Sequence, residues 1–327
     1  MHRSKSERKY RNTAFIRTLG TNISFQTELL QIGLTSLLQR YFDHSRYTLH
    51  PPHDAELHNT SLYFQYLSSH FKVYGESLLK PSDRIASIVG ASYYNEQIGT
   101  LSIIGRYLAP NYYTIYGYPD SHYSSHQNEK GIKLMWKGEL GYWWSGSLYL
   151  DVFQKIKSIG GKENSPGYVL TAKTHYSFNN TQLLSRLRWI NLPHQLPRTT
   201  FKINIHQPLT SKLRLKGGTN LIYSNKNKVD WGIFTRLLYE NSHDLKAELG
   251  VQYFTLTDGI IRSDNPSMTC RYYAPMLRGR GVRTTAALRY PINRNIKIQA
   301  RTSFTFYSKL PTNPIPSLLD ICASIKL

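Results

Sequence analysis

A chain of 327 residues can form two ordinary soluble domains or one large sheet closed on itself, and its 13% aromatic content, with 25 Tyr and 12 Phe, favours pleated, half-buried strand surfaces over helices. Forty-one Lys and Arg against 20 Asp and Glu give a net charge of +21, which suits contact with phosphates, nucleic acid or acidic glycans without choosing among them. No run of ~18 or more apolar residues occurs, which excludes a helical membrane span and leaves a strand-built one open.

The first twenty residues begin Met1-His2-Arg3-Ser4-Lys5 and stay basic, with no apolar stretch and no small-residue cleavage site. They read as a basic, poorly ordered leader instead of a secretory signal, and residues 21–327 read as the folded domain. From Leu29 to Tyr41 a weak helical period competes with a strand reading. Asp43 to His58 forms a long connection containing His50, His53, Asp54 and His58, the one local cluster with metal-ligand chemistry; with no regular element to fix its geometry it reads as a solvated loop. Lys80-Pro81-Ser82-Asp83 marks a turn, and Pro110 to Gln127 a second long connection.

Beyond residue 145 the chain alternates with period two. Leu148, Leu150 and Val152 oppose Ser147, Tyr149 and Asp151. Tyr168, Leu170, Ala172 and Tyr176 oppose Thr171, Lys173 and His175. Phe201, Ile203 and Ile205 oppose Lys202, Asn204 and His206; Leu213, Leu215, Thr219, Leu221 and Tyr223 oppose Lys212, Arg214, Lys216 and Asn220. Ala247, Leu249, Val251 and Tyr253 oppose Lys246, Glu248 and Gln252, and Ile298, Ala300, Phe304 and Phe306 oppose Lys297, Gln299, Arg301 and Ser303. The apolar faces carry no charge. Turn residues separate these runs at 164–167, 191–193, 225–227, 241–244 and 293–295, and a third long connection runs from Asp258 to Met268.

Short turns between successive runs make neighbours antiparallel, so the expected fold is all-β, an up-and-down transmembrane β-barrel. Membrane strands of ~9–11 residues plus connections give about 16–18 strands for this length, in a closed barrel or an incompletely closed sheet. The three long connections are then extracellular loops, and aromatic groups such as Tyr112-Tyr113, Tyr142-Trp143-Trp144 and Tyr272-Tyr273 sit where interfacial girdles belong. The competing soluble reading is a pair of packed sheets, whose strands average only ~5–6 residues.

Enzymatic signatures are absent: no phosphate-binding loop, no dinucleotide fingerprint, no HExxH, no GxSxG. Cys270 and Cys322 lack metal-ligand spacing and read as small wall residues. No cofactor is expected.

Seven blocks, in order along the chain, resemble the barrel region of Bacteroidetes outer-membrane proteins that carry helix-hairpin-helix repeats ahead of the barrel. They are Phe71-Lys72-Val73-Tyr74-Gly75-Glu76, Gly105-Arg106-Tyr107-Leu108-Ala109-Pro110-Asn111-Tyr112-Tyr113, Gln127-Asn128-Glu129-Lys130-Gly131, Leu150-Asp151-Val152-Phe153, Ser165-Pro166-Gly167, Arg278-Gly279-Arg280-Gly281-Val282-Arg283 and Ser317-Leu318-Leu319-Asp320. The resemblance implies an outer-membrane location, reached as part of a longer exported product, with the helical repeats as a periplasmic appendage. It also singles out Glu76, Arg106, Asn128, Glu129, Asp151 and Arg283 as a polar network facing the barrel interior, since a charge on the lipid face near the midplane costs ~2–4 kcal/mol.

Three functions fit these features. The first is a non-enzymatic outer-membrane barrel, a pore, transporter or structural anchor with a cationic polar lumen, in contact with outer-membrane lipid and with anionic solutes or glycans. The second is a soluble β-rich nucleic-acid-binding protein, motivated by charge; against it, the basic residues are spread strand by strand instead of forming one patch. The third is a hydrolase embedded in a barrel.

Overall fold

The computed structural model describes residues 14–43, 56–79, 84–112, 121–122, 127–158, 164–224, 228–241, 244–257, 259–264, 266, 275–293, 296–309 and 317–325. They form strands and connections. The first strands are β1 (Ala14–Gln26), β2 (Leu30–Asp43), β3 (Glu56–Leu67), β4 (Phe71–Leu78), β5 (Ala86–Asn95) and β6 (Gly99–Leu108). There follow β7 (Glu129–Gly141), β8 (Trp144–Gln154), β9 (Gly167–Phe178), β10 (Thr181–Asn191), β11 (Arg198–Pro208), β12 (Leu213–Ser224), β13 (Lys228–Glu240) and β14 (Lys246–Thr255). Two short strands, β15 (Ile261–Arg262) and β16 (Met276–Leu277), precede β17 (Arg280–Pro291), β18 (Ile296–Lys309) and β19 (Leu318–Ile325).

Seventeen of these strands belong to one sheet, and β15 pairs with β16 in a second. The large sheet is an antiparallel meander within the expected range of strand number. In-register ladders join β1 to β2 and onward to β6, β9 to β10 and onward to β14, and then β14 to β17, β18 and β19. Among the described residues β1 and β19 each have one such ladder. The 29–41 stretch is a strand, because its apolar residues fall on alternate positions: Ile32 faces Phe64 and Leu34 faces Leu62 across β3. β1 starts at Ala14, inside the stretch expected to be leader, because Leu19, Ile23 and Phe25 pair with Leu38, Leu34 and Ile32 of β2; residues 1–13 lie outside the described residues.

Two compact units divide the chain: residues 1–136 with 150–167, and 137–149 with 168–327. Each has the same inverted pattern. Apolar side chains stand exposed on one face, among them Leu62, Phe64, Ile103 and Ile132 in the first unit and Ile233, Leu249 and Phe306 in the second. Leu249 and Val251, on alternate positions of β14, are 63% and 53% exposed, while Gln252 beside them is 4% exposed. The buried face carries Gln39, Asn59, Arg106 and Asp151 in the first unit and Asn220, Arg236, Arg283 and Ser303 in the second. Water-soluble sheets bury the opposite face, so the packed-sheet alternative does not describe this molecule.

Connections differ by side. Those after odd-numbered strands up to β13, and after β17, are short: Asn179 and Asn180, with φ of 43° and 67°, form the two-residue turn between β9 and β10 that a right-twisted hairpin requires. Those after even-numbered strands include the four longest, residues 44–55, 109–128, 155–166 and 256–279. No helix among the described residues is long and apolar enough to cross a membrane, which says nothing of strands.

Candidate functional site

The first unit holds a buried ion cluster on the polar face of β6, β7 and β8. Arg106 sits at an inward position of β6, where its guanidinium Nε donates to Glu129 Oε1 at 2.7 Å and Nη1 donates to Asp151 Oδ1 at 2.9 Å. All three side chains are at most 3% exposed. Gly131 makes this possible: a Cβ there would lie 2.8 Å from the guanidinium carbon, so only glycine lets Arg106 lie flat across β7.

One Arg does not balance two carboxylates. The connection between β6 and β7 supplies the rest: His122 Nε2 lies 3.0 Å from Asp151 Oδ2, its backbone N–H donates to Glu129 Oε2 at 2.9 Å, and Ser121 Oγ donates to the same oxygen at 3.1 Å. The His122 ring stacks on Phe153 with centroids 4.0 Å apart. Lys133 Nζ approaches Asp151 to 4.0 Å. The cluster therefore pins residues 121 and 122 of that connection onto the sheet. Asn128 clasps the connection after β8 in the same way, its Nδ2 donating to Lys157 O at 2.9 Å and its Oδ1 accepting from Lys157 N at 2.7 Å. Its φ of 59° is one that Asn tolerates better than most residues.

Of the six residues expected to form one network, the structure brings Arg106, Glu129 and Asp151 together, with Asn128 next in sequence to Glu129 but bonded elsewhere. Glu76 does not join them: it is exposed on β4 and makes no ion pair among the described residues. Arg283 belongs to the second unit, where it is 1% exposed and donates to Thr305 Oγ1 and, at 2.7 Å, to Ser303 Oγ on β18. Arg106, Glu129 and Asp151 thus share one cluster, while Asn128, Glu76 and Arg283 have other surroundings, because inward phase on a strand sets the face and not the neighbour.

A second anchored connection, not anticipated from sequence, occupies the polar face of the second unit. Arg236 on β13 donates through Nη1 to Glu248 at 2.9 Å and through Nε to Asp264 at 3.1 Å. Asp230, 3% exposed, accepts from the backbone N–H of Thr257 at 2.6 Å and of Gly259. Arg301 pairs with Asp320 at 2.6 Å and donates to the carbonyl of Pro266 at 2.8 Å. Beneath these bonds Ile222, Phe254, Leu256, Ile261 and Leu277 form the buried apolar cluster of the unit. Residues 257, 259, 264 and 266 of this connection are therefore held against the sheet. Inward charges on β13 spaced six apart, Asp230 and Arg236, were the available signal.

Three of the four residues of the histidine-rich stretch, His50, His53 and Asp54, lie outside the described residues; His58 bonds Ser36 Oγ at 2.8 Å. Among the described residues no group of three metal-ligating side chains converges. Cys322 is buried on β19, and Cys270 lies outside the described residues. Tyr273 and Tyr113 also lie outside them, whereas Tyr142, Trp143 and Trp144 cap the short turn after β7, with Trp143 edge-on to Phe178 at 5.0 Å.

No family model matches the chain, and no curated protein does. Solved structures do. The ferric enterobactin receptor PfeA of Pseudomonas aeruginosa aligns with a TM-score of 0.50 at 12% identity over 91% of this chain and 61% of the receptor. CdiB and OccAB4, both of Acinetobacter baumannii, align with TM-scores of 0.42 and 0.40 at 9% identity over 95% of this chain and 59% and 88% of theirs. The receptor alignment carries the conclusion: the fold is that of an outer-membrane β-barrel, and this chain spans about three fifths of the receptor's length.

Proposed function

We propose that this chain is the membrane-spanning part of a bacterial outer-membrane protein that passes or holds solutes, or anchors other parts, without chemistry of its own. The observation that carries the proposal is the inverted sheet. Leu249, Val251, Ile233 and Phe306 would lie in water in a soluble protein, whereas lipid tails cover them without cost, and the ion clusters on the other face are then sheltered from lipid. Strands of 10 to 14 residues, such as β5 and β18, suit a bilayer. Aromatic side chains at the short turns, Tyr142, Trp143 and Trp144, fit an interfacial girdle.

The finer reading follows from charge and sequence blocks. With a net charge of +21 and cations recurring on the polar face, the interior of the barrel is cationic and its partners are anionic solutes or glycans. The blocks around Arg106, Glu129 and Asp151 support kinship with the Bacteroidetes proteins that carry helix-hairpin-helix repeats. The receptor to which the fold is similar is one for ferric enterobactin, an analogy for solute uptake and no more.

Extraction and gel migration test the proposal. Protein from membranes should require detergent, migrate faster unheated than heated, and conduct anions over cations in planar bilayers. A detergent-free soluble monomer with no heat-dependent migration would defeat it.

A further inference from the structure

Several cations on the polar face of this sheet are ion-paired. Arg106, Arg236 and Arg301 each meet carboxylates, and Lys246 with Arg214 shares Glu240. One row of three cations is not. Lys173 of β9 stands directly opposite Arg186 of β10, and Arg186 stands directly opposite Lys202 of β11. Like charges facing one another across strands are destabilising, and among the described residues none of the three forms an ion pair. Asp264, the acid whose charge reaches Lys202, is bound to Arg236.

Strands lie ~4.8 Å apart, so the three cations form a row on the order of 10 Å long. They line a cavity of about 450 Å³ together with Lys137, His175 and Tyr149, and among the described residues no carboxylate lines it. Its size is that of ordinary small-ligand clefts. Tyr149 gives the cavity an aromatic wall, with Lys173 Nζ held 4.9 Å from the ring centroid. Arg186 and Lys202 alternate with Leu187 and Phe201 on their strands, so the row points away from the exposed apolar face and away from lipid headgroups.

We infer that the Lys173–Arg186–Lys202 row is a binding site for a soluble polyanion carrying two or more phosphate, sulfate or carboxylate groups. The inference rests on the proposed function above only in placing this face toward solvent. Each anionic group bridges two neighbouring cations and offsets their mutual repulsion, which is why a polyanion is favoured over chloride. Inorganic triphosphate is the simplest probe.

Titration calorimetry of the detergent-solubilised chain, its folding checked by heat-dependent migration, should show saturable triphosphate binding that weakens as salt rises. Replacing the row together (Lys173→Gln, Arg186→Gln, Lys202→Gln) should weaken binding at least tenfold, whereas Lys130→Gln, an exposed cation of the other unit, should leave it unchanged. Absence of saturable binding by the folded protein, equal losses in the two variants, or equal affinity for an uncharged sugar would overturn the site. A protein that binds triphosphate through the row but stays soluble without detergent would retain the site and refute the membrane reading, so the two failures are distinguishable. Stronger binding of single-stranded DNA than of triphosphate, lost in the same triple variant, would overturn the small-ligand assignment.

Discussion

Arg106 and Asp151 meet at 2.9 Å although 45 residues separate them in the chain, and Arg106 reaches across the intervening strand β7 over the bare backbone of Gly131. One contact thereby ties β6, β7 and β8 together and, through His122 on Asp151, holds the connection between β6 and β7 against the sheet.

Removing Arg106 strands two buried carboxylates. Arg106→Gln should lower unfolding stability by about 3–5 kcal/mol, the usual cost of breaking one side of a buried pair. Adding Glu129→Gln and Asp151→Asn should recover most of the loss, because no charge is then left without a partner. Unfolding in urea with the protein in detergent micelles measures both; equal instability of the single and triple variants would show that packing, not charge, sets the cost.

Gly131→Val should destabilise by about 1–3 kcal/mol, since the new side chain must displace the guanidinium and its carboxylates. The same denaturation series gives the value. A neutral effect would mean Arg106 has another route to Glu129.

Asp230 holds residues 257 and 259 of the 256–279 connection. Asp230→Ala removes the acceptor for the Thr257 and Gly259 N–H groups and should increase limited-proteolysis cleavage within 256–279 several-fold, while cleavage at the turn between β9 and β10 stays constant. Cleavage that does not change would place the hold on the connection in the apolar cluster around Phe254 alone.

At the short turn after β13, Lys297 Nζ lies 2.9 Å from Asp244 and holds that carboxyl below the ordinary aspartate range, first by the hydrogen bond and then by its charge. An acid with a depressed midpoint contributes its pairing above the ordinary midpoint and loses it as pH falls through the lower, folded one. Lys297→Gln should therefore move the Asp244 midpoint upward, read by the carbon chemical shift of its carboxyl against pH. An unmoved midpoint would remove the pair.

Strand identity and facing were legible in the sequence because period two is a local property: Phe201, Ile203 and Ile205 alternate with Lys202, Asn204 and His206 whatever the rest of the chain does. The ion clusters were legible only in part. Arg106, Glu129 and Asp151 lay in the family-like blocks, but their meeting depends on register between strands 23 and 45 residues apart, which residue spacing does not encode. His122 was hidden in a long connection. The docking of residues 257, 259, 264 and 266 was illegible for a related reason: Asp264 reads as a loop acid until Arg236 is known to bind it, and Leu256, Ile261 and Leu277 are too scattered to show a period.

On this reading alternate side chains of these strands face lipid and solvent. Nitroxide labels introduced one at a time along β14 (Leu249→Cys, Gly250→Cys, Val251→Cys, Gln252→Cys), with Cys270 and Cys322 replaced by Ser, report it directly in reconstituted bilayers. Labels at 249 and 251 should collide preferentially with lipid-soluble oxygen, and those at 250 and 252 should show less oxygen collision in strict alternation. Uniform collision at all four positions, or oxygen access greatest at 250 and 252, would contradict the account.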